Sequence, residues 1–500
     1  MALDVASQLL EAPVEKRVAG KWVPWRALGL PLAFTLGLAA FLLLDAVRQN
    51  ASLVWTFAGV VSVLLAWNAT LLASVLRRGR ALSVEIVLRK QHYLQACIQG
   101  SLLAYWGWYW RPVYDSAHLI AAQLLFAYAF DMLLSWSRRD VYALGFGPFP
   151  VVFSMNLFLW FKPDWFYMQF LMVAVGFAAK ELIRWDKEGR SVHIFNPSSF
   201  PLAVFSLALI VTRTTDLTWG QDIATTLFYP PHMYVALFLF ALPGQYLFGV
   251  TTMTMSAVVT TYLFGLLYYA ATGIYFFYDS YIPIAVFLGM HLLFTDPATS
   301  PRTDLGRVIF GVLYGISTIA LYALLGNLGL PTFYDKLLQI PILNLSIKLI
   351  DQLARSNLLQ RIDPTAVLRS LTPRRRHLAY MSMWATVFAI MSAVQGVGDS
   401  HPGQWLPFWQ RACAAGRPYA CPYLETVTSG DCDRGSAWAC EELAILQDDP
   451  DRYRPRTLAS ATVEDYPIIL RGSKGPLRDV SRAGLEALAC REGWPGTCTR

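Results

Sequence analysis

Six of the seven cysteines stand in three pairs of equal spacing, Cys413 and Cys421, Cys432 and Cys440, and Cys490 and Cys498. Their surroundings repeat as well: ACAAGRPYAC, DCDRGSAWAC and ACREGWPGTC. Each unit reads as a helix end, a Gly-containing turn and the start of the next helix. A disulfide across such a turn staples an αα-hairpin too small to build its own core. Metal binding is the rival chemistry. Zinc sites use closer cysteine spacings with histidine nearby, and His401 is the only histidine of this region. Disulfides are therefore preferred, and they imply an oxidising compartment. The seventh cysteine, Cys97, lies in an apolar run, where a buried thiol is expected.

Two further segments set polar residues and proline inside apolar territory: Gly189–Phe200, GRSVHIFNPSSF, and His291–Gly311, HLLFTDPATSPRTDLGRVIFG. In each, Asn196-Pro197 or Asp296-Pro297 can start a helix, with a side-chain oxygen available as its cap. A helix that begins inside a membrane turns its positive end toward an anionic group, whereas a capped helix at the membrane surface needs no ligand. His193 and His291 precede the two prolines and are candidates either for contact with a cofactor phosphate or for ordinary interfacial hydrogen bonds. Asp131, in AYAFDMLL, is an ionisable group at membrane depth and a candidate for ion or proton handling. Lys180 and Glu181 are expected to snorkel or pair near the surface. No haem, iron–sulfur or ATP-binding pattern is present.

The elements that would hold these residues are membrane spans. Hydrophobic residues make up 55% of the 500 and charged residues 15%, with a mean hydropathy of +0.40, too little charge to cover a soluble protein. Thirteen apolar runs follow one another from Ala27–Val47 to Leu378–Val394. A thirteen-fold crossing from a cytoplasmic N-terminus puts Arg77–Arg80, Arg138-Arg139, Arg184–Arg190, Arg302–Arg307 and Arg374–Arg376 on one side, as the positive-inside rule requires. The same count leaves the cysteine-bearing tail outside, and the net charge of +7 then marks orientation rather than nucleic-acid binding. Ala81–Gln91 mixes apolar and charged residues at near-helical spacing, which suggests either an interfacial helix or a juxtamembrane extension of the next span. The expected class is all-α: a polytopic helical membrane protein with a small α-hairpin soluble tail.

HIFNPSSF, and TDPATSP followed by GRVIFGVLYG, resemble the paired signatures of the RnfD/NqrB family, membrane subunits of flavin-dependent, ion-coupled redox pumps. The resemblance covers about residues 88–353. It implies a ten-helix bundle of two inverted repeats, flanked here by an N-terminal extension (1–87), a linker and last span (354–398) and the tail (399–500), which is similar to Sel1-like repeats. It also implies partner redox subunits and FMN, with His193, Asn196, Ser198, Thr295, Asp296 and Thr299 near the cofactor. In the family, the threonine of a Ser-Gly-Ala-Thr motif carries FMN covalently. The matching loop here, TTDLTWGQDIATTLFYPP, makes Thr225 the candidate acceptor but has Asp222-Ile223 where the family has Ser-Gly. This degeneracy is similar to that of the branch found beside enediyne biosynthesis genes (UnbU-like). The localisation implied is the bacterial inner membrane, the tail periplasmic and free to dock a protein partner. A flavin-free transporter or channel on the same scaffold, and an accessory scaffold acting through the tail, are the alternatives.

Overall fold

The computed structural model describes residues 15–18, 24–187, 189–394, 397–398, 401–449, 452–470 and 481–498. It is mostly helical, 73% helix against 4% strand. Each apolar run read from the sequence coincides with a helix. Named in chain order they are α1 (Pro24–Ala40), α2 (Ala51–Arg78), α3 (Lys90–Tyr109), α4 (Ala117–Arg138), α5 (Pro148–Asn156), α6 (Tyr167–Leu182) and α7 (Ser199–Thr212). After the short α8 (Gly220–Thr226) come α9 (Met233–Phe248), α10 (Thr251–Thr272), α11 (Ile284–Leu292), α12 (Asp304–Asn327), α13 (Ile340–Ala354) and α14 (Pro373–Val394). Among the described residues, seven helices are long and apolar enough to cross a membrane. They turn large apolar side chains outward, as at Leu43, Trp55, Val63 and Leu267, which suits lipid and not water.

Local chemistry sets the helix ends. Asn50 Oδ1 accepts from Leu53 N at 3.0 Å to open α2, and Gly79, at φ +60°, closes it behind Arg77 and Arg78. Helix α5 is short for a different reason. Pro148 begins it, and after nine residues the chain turns at Asn156 instead of completing a crossing. The third helix of the next five, α11, is also nine residues long. The two share a pattern: Pro148, Val151, Met155, Asn156 and Leu157 match Pro283, Val286, Met290, His291 and Leu292 in spacing.

The interfacial helix expected at Ala81–Gln91 is instead a strand, β2 (Ser83–Leu88), with Lys90 already the start of α3. It pairs antiparallel with β1 (Glu15–Val18; Glu15 opposite Leu88) and parallel with β3 (Val141–Leu144; Ser83 opposite Val141). The Ser-Val-Glu-Ile-Val-Leu stretch is rich in β-branched residues, and these distant partners complete the ladder. A second ladder, β4 (Arg184–Lys187) with β5 (Arg190–His193), carries His193 opposite Arg184.

The chain forms two compact units: one of 1–224, 237–257 and 288–384, the other of 225–236, 258–287 and 385–500. In the second, α15 (Leu406–Ala414), α16 (Ala420–Asp433), α17 (Ala437–Asp448) and α18 (Arg482–Glu492) build the tail. Its core holds Trp409, Leu424, Trp438, Leu458, Leu485 and Trp494, and takes in Ile274 from the α10–α11 loop. Tyr278 of that loop stacks on Tyr423 at 4.1 Å, so the tail's core extends beyond residues 399–500.

The three cysteine pairs stand at disulfide distance, Cα to Cα 4.6, 4.7 and 4.8 Å. All three use one device. The first cysteine ends a helix, and a glycine three residues on (Gly416, Gly435, Gly493) has positive φ and donates to that cysteine's carbonyl. The next N–H donates to the carbonyl preceding the cysteine, which is a Schellman closure. Two units continue into a helix as expected; Cys498 of the third is not followed by one among the described residues. Cys97 departs from expectation too. It lies on an exposed face of α3, while Ala96, Ile98 and Gln99 turn inward.

Candidate functional site

The first unit contains a cavity of about 380 Å³ where the starts of α3, α5 and α7 meet the end of α6. Five residues singled out in the sequence line it: Asp131, His193, Asn196, Ser198 and Asp296. Asp131 projects from α4 and accepts from Tyr142 Oη at 3.2 Å. His193 Nε2 stands 3.2 Å from Asp296 Oδ2, joining the two proline motifs across 103 residues of chain.

Polar side chains around the motifs are engaged with one another. Asn196 Oδ1 accepts from Ser198 N, Ser198 Oγ and Ser199 N, and its Nδ2 donates to Leu293 O at 3.0 Å. Asp296 Oδ1 accepts from Ala298 N at 3.0 Å, and its Oδ2 accepts from Thr299 Oγ1 at 3.3 Å. The helix-start N–H groups expected to face an anion are thus capped by the chain's own side chains. Thr299 is buried behind the cavity, and Thr295 Oγ1 donates to His291 O at 2.9 Å. His291 is buried within α11, its ring 5.8 Å from that of Trp384, and is not a described lining residue. Asn344 of α13, which the sequence did not flag, couples the motifs: Oδ1 accepts from Asn196 N at 3.2 Å and Nδ2 donates to Thr299 O at 3.3 Å.

Thr225 stands apart. It is exposed near the end of α8 and belongs to the second unit, not to the described lining of the cavity. The Lys180–Glu181 expectation divides. Both line the cavity, but Glu181 pairs with Arg139 at 3.0 Å, whereas Lys180 has no carboxylate partner among the described residues.

At the other end of α5 is a second cavity of about 290 Å³, lined by Asp115, Ser116, Gln123, Asn156, Trp160 and Trp219. Helix α5 therefore contributes to both: Pro148 and Ser154 to the first, Asn156 to the second. Between them lies a cluster of uncharged amides. Gln99 Nε2 donates to Ser154 Oγ at 2.8 Å. Gln123 and Asn156 exchange two hydrogen bonds, of 3.1 and 2.8 Å, and Gln169 Nε2 donates to Gln123 Oε1 at 3.2 Å. All five side chains are almost fully buried, and Gln99 Oε1 has no protein partner among the described residues. An unpaired buried amide oxygen costs about 1–3 kcal/mol unless water or a solute reaches it.

These amides were missed because a lone Gln or Asn in an apolar run has no spacing signature. The signal that would have found Asn156 is the repeated Pro-x2-Val-x3-Met-Asn/His-Leu of α5 and α11. The fold is that of a mostly helical chain with seven helices, among the described residues, long and apolar enough to cross a membrane, and a cluster of buried polar side chains between them. No family model matches the chain, nor does any curated protein or solved structure.

Proposed function

We propose that the bundle over residues 90–354 is a conduit for a small ion or polar solute, and that the chain is a membrane subunit of the RnfD/NqrB kind. One observation carries the conduit: α5 lines a cavity at each of its ends, with neutral amides between them. Amides can exchange hydrogen bonds with a passing solute without holding it as a fixed charge would, because their net hydrogen-bond contribution is modest. The element order supports the family scaffold. Two runs of five bundle helices, α3 to α7 without the strands and α9 to α13, each place a nine-residue helix third. In this reading Asp131 lies on the ion's path and the positively charged loops face the cytoplasm.

The test is osmotic. Proteoliposomes shrunk with a panel of small neutral and ionic osmolytes recover volume at a rate set by permeation. At least one osmolute should permeate tenfold faster than through empty liposomes, and Asn156→Leu with Gln123→Leu should abolish that gain. No osmolyte exceeding the empty-liposome rate counts against the conduit.

The flavin-linked half of the family reading is favoured by the exposure of Thr225 in the Ala224-Thr225-Thr226-Leu227 sequence. Protein made beside a flavin-transfer enzyme and precipitated with acid should keep flavin absorbance, and Thr225→Ala should lose it. A colourless precipitate leaves the conduit without a covalent redox partner.

A further inference from the structure

We infer that the larger cavity, at the start of α3, is a binding site for a phosphate-type anion. The argument is one of matched and unmatched charge. Three carboxylates line the cavity, and two already have side-chain partners: Glu181 lies 3.0 Å from Arg139 and 3.9 Å from Arg138, and Asp296 Oδ2 lies 3.2 Å from His193 Nε2. Asp131 accepts from the Tyr142 phenol.

The cations outnumber these partners. Arg89 has no carboxylate partner among the described residues, and Lys180 has only the Phe177 ring, 5.3 Å from its Nζ. Arg184 donates to Ser191 Oγ and O at 3.0 and 2.7 Å, again without a carboxylate. His92 also lines the cavity, beside Gly147, as an imidazole that is not counted among the cations.

Helix ends add positive potential from three directions, since α3, α5 and α7 all start at this cavity. They supply few N–H donors, however. Pro148 and Pro150 remove those of α5, and Asn196 engages those of α7. Recognition therefore falls to side chains. A guanidinium, an ammonium and an imidazole around one space suit an anion with several oxygens, such as phosphate, better than a single carboxylate. The phosphate can be free or part of a lipid headgroup; both present the same oxygens to Arg89 and Lys180. Binding here does not require flux through the bundle, so the site and the conduit can fail independently.

The full chain in nanodiscs of phosphatidylcholine is titrated with inorganic phosphate while its thermal unfolding is followed. A parallel set of nanodiscs contains phosphatidylglycerol and no added phosphate. Ligand bound to the folded state raises the unfolding temperature with concentration. A rise with inorganic phosphate identifies a free-anion site, and a rise only with phosphatidylglycerol identifies a headgroup site; both support the proposal. Arg89→Gln with Lys180→Gln should weaken the response at least tenfold, and Asn156→Leu should leave it intact. If the double variant does not fold, Lys180→Gln alone should weaken it threefold or more. The proposal is overturned if the wild-type chain responds to neither ligand, or if the cavity variants respond as the wild type does.

Discussion

The bundle and the tail solve opposite problems. In the bundle apolar residues are abundant, and structure is shaped by the few polar groups among them: Gln99, Gln123, Asn156 and Gln169 inside, and Asn196, Asp296 and Asn344 tying two proline motifs together. In the tail apolar residues are scarce, and covalent links close turns whose geometry is set by glycine. In the bundle, Gln99 Oε1 has no protein hydrogen-bond partner among the described residues. In the tail, Glu442, fully buried, accepts on Oε1 from Gln410 Nε2 and Tyr453 Oη, while its Oε2 and Gln410 Oε1 have no hydrogen-bond partner among the described residues.

The largest expected effect separates the two regions by reduction. Each disulfide closes a short loop and stabilises by about 2–3 kcal/mol in the chain-entropy description. Losing all three exceeds what a small hydrophobic core supplies. Replacing the six tail cysteines with serine should make the tail's amides exchange as an unfolded chain does in hydrogen-exchange mass spectrometry. Protection of α4 and α12 should stay within a factor of two.

Next in size are the amides. Asn156→Leu leaves the buried Gln123 Nε2 without its acceptor while Gln169 still donates to Gln123 Oε1, at about 1–3 kcal/mol. Gln123→Leu with Asn156→Leu removes both partners and should destabilise less than the sum of the single changes. A double-mutant cycle on detergent-solubilised unfolding measures that coupling; strict additivity would mean the two amides do not interact.

How much of this was readable beforehand differs in the same way. Apolar helices were legible because lipid demands long apolar runs: all thirteen runs met helices, of which seven among the described residues are long and apolar enough to cross a membrane. Pairing in the tail was legible from equal spacing. The strand at Ser83–Leu88 was not, because its partners at Glu15–Val18 and Val141–Leu144 are distant in sequence. Asp131 and the proline motifs stood out as polar groups in apolar surroundings, and five of those residues do share a cavity. Their partner Asn344 lay hidden among ordinary helix residues, and Lys180 read as membrane-edge charge.

A smaller effect is set by pH in the tail. Burial raises the Glu492 carboxyl from 4.5 to about 8, with the Trp494 indole and Arg491 opposing, and burial raises Asp431 to about 6 against the pull of Arg434. Burial lowers His401 to about 4. The carboxyl contribution is fully present below the unfolded pKa and is lost as pH climbs to about 8. The histidine contribution is present above 6.5 and is lost as pH falls toward 4. Two falling carboxyl contributions outweigh the one rising histidine contribution, so tail protection, corrected for intrinsic exchange, should be highest at the acidic end of this range and decline as pH climbs to about 8. Glu492→Gln should remove much of the decline on the alkaline side, and a wild-type profile flat from pH 5.5 to 8 would contradict the assignment.

The smallest expected effect is at a turn. Gly435, at φ +98°, has open space where a side chain would begin, so Gly435→Ala tests backbone conformation alone. It should cost about 1 kcal/mol, read as a modest rise in tail exchange with the disulfides intact.

The central claim is that one short helix reaches two separate cavities, and thiol accessibility tests it most directly. In a Cys97→Ser background, Ser154→Cys and Asn156→Cys are each exposed to a small, membrane-impermeant thiol reagent in vesicles of either orientation. The account predicts that the two positions, only two residues apart, are labelled from opposite sides of the membrane. Labelling of both from the same side, or of neither from any side, would contradict it.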